Sequence, residues 1–338
     1  MLFRSPGPTG DKWLSLPLYR GLERTLERKE QAILFLNRRG FAPTLVCDAC
    51  GALVECPSCS VALTLHRSRG ERLLCHYCGH ERPAPARCPA CQSDQLSLEG
   101  SGTERVEATL AAAFPAARVG RLDRDTAGGL KSERVLDRMR AGALDVLVGT
   151  QMVTKGHDLP RVTLVGVLFA DAALGMPDFR AAERTFQLLV QVAGRAGRGD
   201  APGTVMIQTR NPGHAAVALA AVHDAAAFVE RELADRAVLG YPPHVRLAMV
   251  RLDAPDEARV RAEAERVAAL ARRVAADGLQ VLGPAPAPIE RLRGRFRFQL
   301  LLRAATRGAL RPALLAVARA AVPREVRLVI DVDPVSML

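Results

Sequence analysis

The sequence predicts an α/β protein that carries a cysteine-rich insertion and ends in a smaller α+β domain. Three observations support this fold class. Short apolar strands alternate with helices between residues 32 and 208, which is typical of a parallel sheet with helices on both faces. All eight cysteines lie within residues 47–91, inside that alternation. From residue 238 onward, the predicted order of strands and helices changes to that of a compact α+β domain.

Length, composition and charge set the broad class. A chain of 338 residues, 49% of them hydrophobic, is expected to form two or three domains with ample core. A formal net charge of +11 favours an anionic partner such as nucleic acid. No apolar run reaches the roughly 18–20 residues that span a bilayer, and residues 1–20 lack the continuous apolar stretch of a signal peptide. The sequence therefore predicts a cytoplasmic location and no membrane partner.

The first elements lead into the sheet. Residues 1–11 are rich in Pro and Gly and are expected to form a flexible lead-in. Apolar residues at helical spacing predict an amphipathic helix over residues 14–30. Residues 32–36 then form a short apolar strand, and Asn37-Arg38-Arg39-Gly40 follows at its end.

The cysteines form four Cys-x-x-Cys pairs, at positions 47/50, 56/59, 75/78 and 88/91. Disulfides are one interpretation, but thiols stay reduced in the cytosol, and four such pairs fit two tetrahedral zinc sites with four cysteine ligands each. The 15-residue spacer between Cys59 and Cys75 suits a zinc-ribbon hairpin. This spacing predicts a nested arrangement, with one site of Cys56, Cys59, Cys75 and Cys78 and the other of Cys47, Cys50, Cys88 and Cys91. The alternative joins pair 47/50 to pair 56/59.

Both zinc sites are predicted to be structural, because four thiolates leave no coordination position for water. The segment has few aromatic residues, so metal binding is expected to supply much of its folding free energy. His66, His76 and His80 are alternative ligands, but eight thiolates already fill two sites. These imidazoles are therefore expected to lie beside the sites or in solvent.

The α/β alternation resumes after the cysteines. We predict helices over residues 102–114, 131–141 and 181–192, and strands over residues 118–122, 145–149, 163–169 and 204–208. Thr150 and Gln151 follow a buried strand, and in open α/β sheets this carboxyl edge is where ligands bind. A glycine-punctuated turn carries Arg195 and Arg198, whose guanidinium groups suit a polyphosphate. An arginine-rich surface turn is the alternative interpretation.

These two motifs together resemble motifs V and VI of superfamily 2 helicases. The segments Gly-Thr-Gln-Met-Val-Thr-Lys-Gly-His-Asp-Leu-Pro (149–160) and Asp-Phe-Arg-Ala-Ala-Glu-Arg (178–184) narrow the resemblance to the PriA family of bacterial replication-restart helicases. The resemblance runs from about residue 32 to residue 338. It implies a RecA-like second helicase lobe (32–46 and 98–236), an inserted zinc module with the nested cysteine arrangement (47–97) and a C-terminal α+β DNA-binding domain (237–338). Residues 1–31 are expected to form a lead-in and an N-terminal helix.

The resemblance also implies roles for individual residues. Arg195 and Arg198 match the motif VI arginines that reach the γ-phosphate of a nucleotide. The residues expected to face the nucleotide cleft are Lys155, Gly156, Asp158 and Gln191. Those expected to contact DNA are Thr150 and Gln151 in motif V and Arg38 and Arg39 in a segment that resembles motif IV.

The C-terminal region carries a basic strand. We predict strands over residues 245–252, 280–283, 295–303 and 327–332 and helices over residues 256–276 and 310–321, after a largely helical bridge over residues 216–237. Residues alternate across a strand, so one face is expected to hold Phe296 and Phe298 and the other Arg293, Arg295 and Arg297. Residues 238–338 hold 17 arginines against 10 acidic residues. This clustering predicts phosphate contact by the arginine face rather than a merely solvated surface.

The sequence lacks the parts that bind ATP in a helicase. No Gly-x4-Gly-Lys-Ser/Thr phosphate loop occurs in the 338 residues, and ATP hydrolysis needs such a loop together with an acidic pair for Mg²⁺. Lys131 is preceded by Leu130 rather than by glycine, and Asp256-Glu257 fits a helix start better than an acidic box. ATP and Mg²⁺ are therefore expected only where a first helicase lobe is supplied.

The resemblance thus implies a PriA-type replication restart protein that binds forked or branched DNA, here without autonomous ATPase activity. Its further implied partners are primosome proteins and single-stranded-DNA-binding protein. One alternative is that the chain is the C-terminal part of an active ATP-dependent 3′–5′ DNA helicase. An alternative of another class is a zinc-ribbon adaptor that recruits proteins without binding DNA.

Overall fold

A computed structural model describes residues 2–3, 14–36, 44–59, 61–66, 71–98, 103–122, 130–150, 159–197, 202–275 and 277–337. The described strands, in chain order, are β1 (Leu2–Phe3), β2 (Gln31–Leu36), β3 (Leu45–Cys47), β4 (Thr64–His66), β5 (Arg72–Leu74), β6 (Glu81–Pro83), β7 (Leu96–Leu98), β8 (Val119–Leu122), β9 (Val146–Gly149), β10 (Val162–Leu168), β11 (Thr204–Gln208), β12 (Arg246–Ala254), β13 (Leu279–Leu292), β14 (Arg295–Ala304) and β15 (Arg327–Val332). The described helices are α1 (Leu16–Glu27), α2 (Thr103–Ala113), α3 (Leu130–Arg140), α4 (Ala181–Ala193), α5 (Ala215–Ala221), α6 (Ala225–Leu239), α7 (Glu257–Arg273) and α8 (Arg307–Ala318). None of these helices combines the length and the apolarity that a bilayer crossing needs.

Six strands form one parallel sheet, in the order β1-β11-β10-β2-β9-β8. The α/β class predicted from the alternation of strands and helices is confirmed. The prediction of a flexible lead-in over residues 1–11 was wrong for Leu2 and Phe3, which pair with Ile207 and Gln208 as the edge strand. The backbone groups at an open sheet edge can accept a further strand, so two residues extend the sheet.

Helices cover the sheet on both faces. Every residue of β2 and β10, which are neighbours at the centre, is buried, as expected for strands covered on both sides. Phe35 packs into one hydrophobic cluster, together with residues of α3 and α4. Leu34 packs into the other, together with residues of α1 and α2. Helix α1 lies so close to β10 that a Cβ on Gly166 would come within 2.8 Å of Leu18 Cδ1.

The cysteine-rich segment is inserted between β2 and α2. Its two ends pair with each other as the antiparallel strands β3 and β7, so Leu45 lies opposite Leu98. Between these ends, β4, β5 and β6 form a three-stranded antiparallel ribbon. The chain therefore enters and leaves the insertion at neighbouring points.

The C-terminal domain is a four-stranded antiparallel sheet with the order β13-β14-β12-β15. Helices α7 and α8 cover one face, in a cluster with Phe298 and Leu300. This confirms the apolar face predicted for β14. The other face packs on the cysteine-rich ribbon, because Met249 and Leu301 belong to the same hydrophobic cluster as Cys75.

The strand predicted over residues 280–283 was too short. Strand β13 has 14 residues and continues through Pro284, Pro286 and Pro288. Prolines argue against a strand because they cannot donate a ladder hydrogen bond. Because β13 is an edge strand, a backbone nitrogen that points away from β14 has no neighbouring strand to bond, so proline is tolerated at such positions.

The helical bridge predicted over residues 216–237 is broken into α5 and α6. His223 adopts a left-handed conformation with a φ of 56°. The carboxylate of Asp224 then caps α6 by accepting a hydrogen bond from the N–H of Ala227 at 2.9 Å. An Asp at this position is a strong helix-start signal, and here it separates two helices of similar composition.

Candidate metal centres

The eight cysteines lie in two groups of four. The outer cluster consists of Cys47, Cys50, Cys88 and Cys91, and the inner cluster of Cys56, Cys59, Cys75 and Cys78. Within each cluster, the four Sγ atoms lie within 4.8 Å of one another. The structure therefore brings together the sets of cysteines that the spacing predicted, with the inner pairs nested inside the outer pairs.

The distances between sulfur atoms match those that one zinc ion imposes. Zn²⁺ binds four thiolates tetrahedrally at about 2.3 Å, which puts neighbouring sulfurs about 3.8 Å apart. All eight cysteines are free of disulfides. The shortest distances between Sγ atoms are 3.6 Å for Cys47 and Cys91, 3.7 Å for Cys50 and Cys88, and 3.7 Å for Cys56 and Cys78.

Backbone N–H groups of the Cys-x-x-Cys turns point at sulfur. The N–H of Ala90 donates to Cys88 Sγ at 3.4 Å. Burial raises the pKa of the Cys47 thiol, but hydrogen bonds from the backbone of Cys50 and Ala49 and from neighbouring cysteines lower it to about 7. Donors aimed at sulfur favour the thiolate, which is the form that binds metal.

The inner cluster is the meeting point of the three parts of the chain. Tyr77, within the knuckle 75–78, is fully buried, and its hydroxyl accepts a hydrogen bond from the N–H of Phe179, just before α4, at 3.0 Å. The ring of Phe179 stacks on Tyr241 with the centroids 5.0 Å apart. Tyr241, just before the C-terminal sheet, donates its hydroxyl proton to the carbonyl of Cys59 at 2.7 Å. The lobe, the ribbon and the C-terminal domain thus share one set of contacts.

Two further contacts strengthen this junction. The buried carboxylate of Asp178 accepts hydrogen bonds from Arg184 Nη1 at 2.8 Å and from the N–H of Met337 at 3.2 Å. In the C-terminal sheet, Gln299 Nε2 donates to the carbonyl of His76 at 2.7 Å. The bonds of Asp178 with Met337 and of Gln299 with His76 join residues 159 and 223 positions apart, so they hold the three parts in a fixed arrangement.

The contacts of the outer cluster are polar and closer to solvent. Asp48, within the knuckle 47–50, forms an ion pair with Arg210 Nε at 3.0 Å and accepts a hydrogen bond from Ser97 Oγ at 2.8 Å. Gly51 adopts a φ of 77°, and a Cβ at this position would lie 2.5 Å from the carbonyl oxygen of Arg210. Cys91 is exposed. In the described part of the chain, the outer cluster therefore contacts the lobe at the polar segment that contains Arg210.

The three histidines named as alternative ligands are not among the cysteine groups in the described part of the chain. His80 follows the inner knuckle and is half-buried. His66 and His76 face each other at the contact between the ribbon and β13.

The residues of motifs V and VI that the structure describes lie at the carboxyl end of β9, on α4 or in the turn after α4. Thr150 directly follows β9, and its N–H donates to the Leu122 carbonyl at 3.3 Å. Gln191 is exposed on α4, and Arg195 lies in the turn that follows this helix. The remaining predicted residues lie outside the described part of the chain: Arg38, Arg39, Gln151, Lys155, Gly156, Asp158 and Arg198.

The arginine face predicted for the C-terminal domain is not an open stripe. Arg293 is exposed, but it lies in the turn between β13 and β14, with a φ of 50°. Arg295 pairs with Asp253 and donates to the carbonyl of Glu325 at 2.7 Å. Arg297 is only 7% exposed, and its burial lowers the pKa of the guanidinium.

The arginine face of β14 is not open because the cysteine-rich ribbon packs on the same side of the sheet. Alternation along the strand correctly separated the arginines from the phenylalanines. Further along the arginine face, however, Gln299 and Leu301 contact the cysteine-rich ribbon. The prediction of a continuous positive stripe of Arg293, Arg295 and Arg297 was therefore wrong.

Three family models match this chain. The "Primosomal protein N C-terminal domain" matches residues 237–335, the "PriA DNA helicase Cys-rich region (CRR) domain" matches residues 56–83, and the "Helicase conserved C-terminal domain" matches residues 102–200. Residues 56–83 and 237–335 thus match PriA models, and residues 102–200 match a general helicase model. The match to the Cys-rich region covers the inner cluster, whereas the outer cluster flanks it on both sides.

Curated PriA proteins agree with these matches. The replication restart protein PriA of Bacillus subtilis is 44% identical over 290 residues, which are 86% of this chain and 36% of that protein. PriA of Synechocystis is 41% identical over 92% of this chain and 38% of that protein. The chain thus spans between about a third and a half of the length of these relatives. The solved C-terminal domain of the DEAD-box protein Dbp5 aligns with 63% of this chain and 77% of that one at a TM-score of 0.29 and 13% identity, too weakly for a structural argument.

Sequence reasoning missed the residues that join the parts of this chain. They are Tyr77, Asp178, Phe179, Tyr241 and Gln299, whose contacts are described above. One signal was available, because the chain has only three tyrosines and one of them lies inside a Cys-x-x-Cys knuckle. A large aromatic residue held between two metal ligands is well placed to anchor a neighbouring domain.

Proposed function

We propose that this chain acts as a PriA-type replication restart protein that binds forked or branched DNA and carries two structural Zn²⁺ ions. The observation that carries the proposal is the packing of two regions that match PriA models and one that matches a helicase model around a preformed four-cysteine cluster. The net charge of +11 supports an anionic partner. The sulfur spacing supports zinc, which would fix the ribbon by tying together residues that lack a large core of their own.

The zinc part of the proposal is tested by metal analysis. After exhaustive dialysis, the chain should retain about two Zn²⁺ per molecule, because each four-cysteine site is closed and structural. The Cys91→Ser variant should retain about one. A value near one in the unchanged chain, or an unchanged value in the variant, contradicts the two-site arrangement.

The DNA-binding part of the proposal is supported by the exposed arginines of the C-terminal domain and not by the whole predicted arginine face. Arg291 and Arg293 are both exposed at the tip of the β13–β14 hairpin. Replacing both with Ala should weaken binding to forked DNA and reduce the slope of log K against log salt by roughly 0.7–0.9 for each lost phosphate contact. Arg297→Ala should instead reduce stability, since its side chain is buried.

A matched control removes two positive charges elsewhere. Arg231 on α6 and Arg261 on α7 have exposed side chains that pair with acidic neighbours four residues away. The double Ala variant of these two should leave the salt slope nearly unchanged. If the hairpin variant and the control behave alike, the hairpin is not a DNA contact.

We further propose that these 338 residues do not hydrolyse ATP by themselves. Arginine fingers act on a γ-phosphate that other groups have already positioned, and the sequence has no phosphate loop to do so. ATP and Mg²⁺ would bind only with a first helicase lobe supplied. DNA-stimulated ATPase activity that disappears in the Arg198→Ala variant would overturn this proposal and favour the active-helicase alternative.

The proposal of protein partners is supported by the family match alone. Primosome proteins and single-stranded-DNA-binding protein are the expected ones. Sedimentation of the purified chain with each, in the presence and absence of forked DNA, tests this expectation. Binding to a partner together with no affinity for DNA at low salt would favour the zinc-ribbon adaptor instead.

A further inference from the structure

A cleft of about 640 Å³ lies between the cysteine-rich segment, the lobe and α6. Its floor is apolar and includes Leu174, Met176 and Phe228, each at most 8% exposed. The apolar lining continues to the mouth of the cleft, where Val238 and Leu239 at the end of α6 are 87% and 37% exposed. A cleft of this volume with an apolar floor and a few polar groups is typical of a ligand site.

The lining carries an excess of negative charge, although the chain as a whole has a formal net charge of +11. The charged residues that line the cleft are Glu55, Asp171, Asp178, Glu232, Asp235, Arg231 and Arg236. Glu183 and Arg184 do not line it but form ion pairs with Arg236 and Asp178. With these two included, six acids face three arginines, so three negative charges remain uncompensated. A cleft whose charge is opposite to that of the whole chain attracts a cationic group.

Two of these carboxylates, those of Glu55 and Asp171, have no cationic partner among the described residues. Glu55 is exposed and forms no side-chain hydrogen bond or ion pair within the part of the chain that the structure describes. The carboxylate of Asp171 is buried and accepts hydrogen bonds from uncharged donors, which include the Thr209 hydroxyl at 2.6 Å and the backbone N–H of Arg210 at 2.7 Å. Of the two, Glu55 is therefore the one that an incoming cation can reach.

Glu232 on α6 shows the same excess of negative charge. It pairs with Arg236 at 2.6 Å, yet burial raises the pKa of its carboxyl. The nearby carboxylates of Glu183 and Asp235 raise this pKa further. One guanidinium does not balance these acids, because Arg236 also pairs with Glu183 at 2.7 Å. A further positive charge beside α6 therefore stabilises several carboxylates at once.

A hydrogen-bond donor is available on the lobe side of the cleft. His214 lines the cleft, and its Nδ1 accepts a hydrogen bond from the N–H of Ala216 at 3.2 Å. Burial lowers the pKa of His214 despite the nearby carboxylates of Asp171 and Asp235, so near neutral pH the ring is uncharged and its proton lies on Nε2. This N–H has no partner among the described residues, so it can donate to a carbonyl of a bound segment.

We propose that the cleft binds a short segment of another protein in which an apolar side chain lies next to a lysine or arginine. The apolar side chain packs on the floor over Phe228, the cation pairs with Glu55, and a carbonyl of the segment accepts a hydrogen bond from His214 Nε2. An apolar centre with charged groups at its rim is typical of protein–protein interfaces. Pockets that take the side chains of an extended segment are a common mode of peptide recognition.

The arginines around the cleft are already paired, so the cation is supplied by a partner. Arg231 pairs with Asp235 at 3.2 Å. Arg184 pairs with Asp178 at 2.8 Å. Nucleic acid is a poor occupant, since an excess of negative charge repels phosphate. This protein contact is therefore separate from the DNA contact proposed for the β13–β14 hairpin.

The test uses the whole chain, loaded with Zn²⁺, and a fluorescent hexapeptide of alternating leucine and lysine. Fluorescence anisotropy should show one peptide bound per chain, with an affinity that falls as salt is added. Peptides with serine in place of leucine, or glutamine in place of lysine, should bind at least about 10-fold more weakly. Glu55→Lys and Val238→Lys place a positive charge on the cysteine-rich segment and on α6. Each should weaken binding of the original peptide at least about 10-fold, because like charges brought together cost affinity.

The matched controls are Glu230→Lys and Val229→Lys, which make the same changes of charge at exposed positions of α6 outside the cleft. Both should keep the affinity within about 2-fold, because salt screens exposed charges outside the site. Unchanged zinc content and circular dichroism show that each variant is folded. If Glu55→Lys loses zinc, Val238→Lys decides, since residue 238 is on α6 and is remote in sequence from the cysteines.

Three results overturn the proposal. One is equal peptide affinity in the cleft variants and their controls, and another is binding that does not depend on the leucines. The third concerns a second copy of the chain as the occupant. Self-association in sedimentation velocity that Val238→Lys abolishes, with no peptide bound by the unchanged chain, would assign the cleft to that copy instead.

Discussion

The outer and inner cysteine clusters have the same four ligands and the same Cys-x-x-Cys turns, yet they occupy different environments. The inner cluster lies in a hydrophobic cluster that contains Tyr77, Tyr241 and Leu301. The outer cluster contacts the lobe through the ion pair of Asp48 and Arg210, and one of its cysteines is exposed. Ligand chemistry therefore does not determine the structural role of a metal site. The side chains between and around the ligands do.

The largest expected difference concerns loss of one ligand from each cluster. Cys50 and Cys78 form a matched pair, because each is the second cysteine of its knuckle and each is half-buried. Cys78→Ser should lower the free energy of unfolding of the whole chain by more than about 3 kcal/mol, since the inner ion holds the shared junction. Cys50→Ser should open only the outer segment and change the main transition by about 1 kcal/mol or less. Urea unfolding followed by circular dichroism, with zinc content measured alongside, checks both values. Equal losses of unfolding free energy in the two variants would contradict the proposed difference between the clusters.

A smaller effect is expected when the junction is weakened without touching a ligand. Tyr77→Phe removes the acceptor of the Phe179 N–H, and leaving a buried donor unsatisfied costs about 1–3 kcal/mol. The control is Tyr19→Phe, whose ring stacks on Phe114 away from both clusters and which should change stability by less than about 0.5 kcal/mol. Both variants should keep two zinc ions. If Tyr77→Phe proves neutral, the inner cluster is not linked to the lobe through this tyrosine.

The smallest effect is expected at the outer cluster. The side chains of Asp48 and Arg210 are about a quarter exposed and lie 3.0 Å apart. Such a pair contributes about 0–1 kcal/mol, because water competes for both groups. A double-mutant cycle with Asp48→Ala and Arg210→Ala measures the coupling free energy. The same cycle on Arg72 and Glu81, an ion pair on the inner ribbon at 2.6 Å, is the comparison. A coupling well above about 1 kcal/mol at Asp48 would mean that the outer cluster is also a major anchor.

Local patterns predicted much of this molecule. The strands expected over residues 204–208 and 327–332 have those bounds in the structure. Apolar alternation and helical spacing depend on residues a few positions apart, so they survive in any tertiary context. The cysteine sets could be predicted for the same reason, because a ribbon hairpin joins neighbouring pairs. The inner cluster in particular lies within residues 56–78.

Features that depend on distant parts of the chain could not be predicted. Nothing near Arg297 in the sequence indicates that its face of β14 is covered. The length of β13 depended on its position at the sheet edge, which is a property of topology rather than of its prolines. The hydrogen bond between Tyr77 and Phe179 joins residues 102 positions apart. These contacts are set by how domains dock, and the amphipathic pattern of one element does not encode its partner.

The long separations at the junction also govern the order of events during synthesis. Tyr241 follows Cys59 by 182 residues, and Gln299 follows His76 by 223. A ribosome adds roughly 5–20 residues each second, so the inner ribbon leaves the exit tunnel on the order of ten seconds or more before these partners do. Its thiolates can gather a metal ion in that interval, but the apolar surface around them stays uncovered and is a target for chaperones. The ribbon is thus made early and enclosed late.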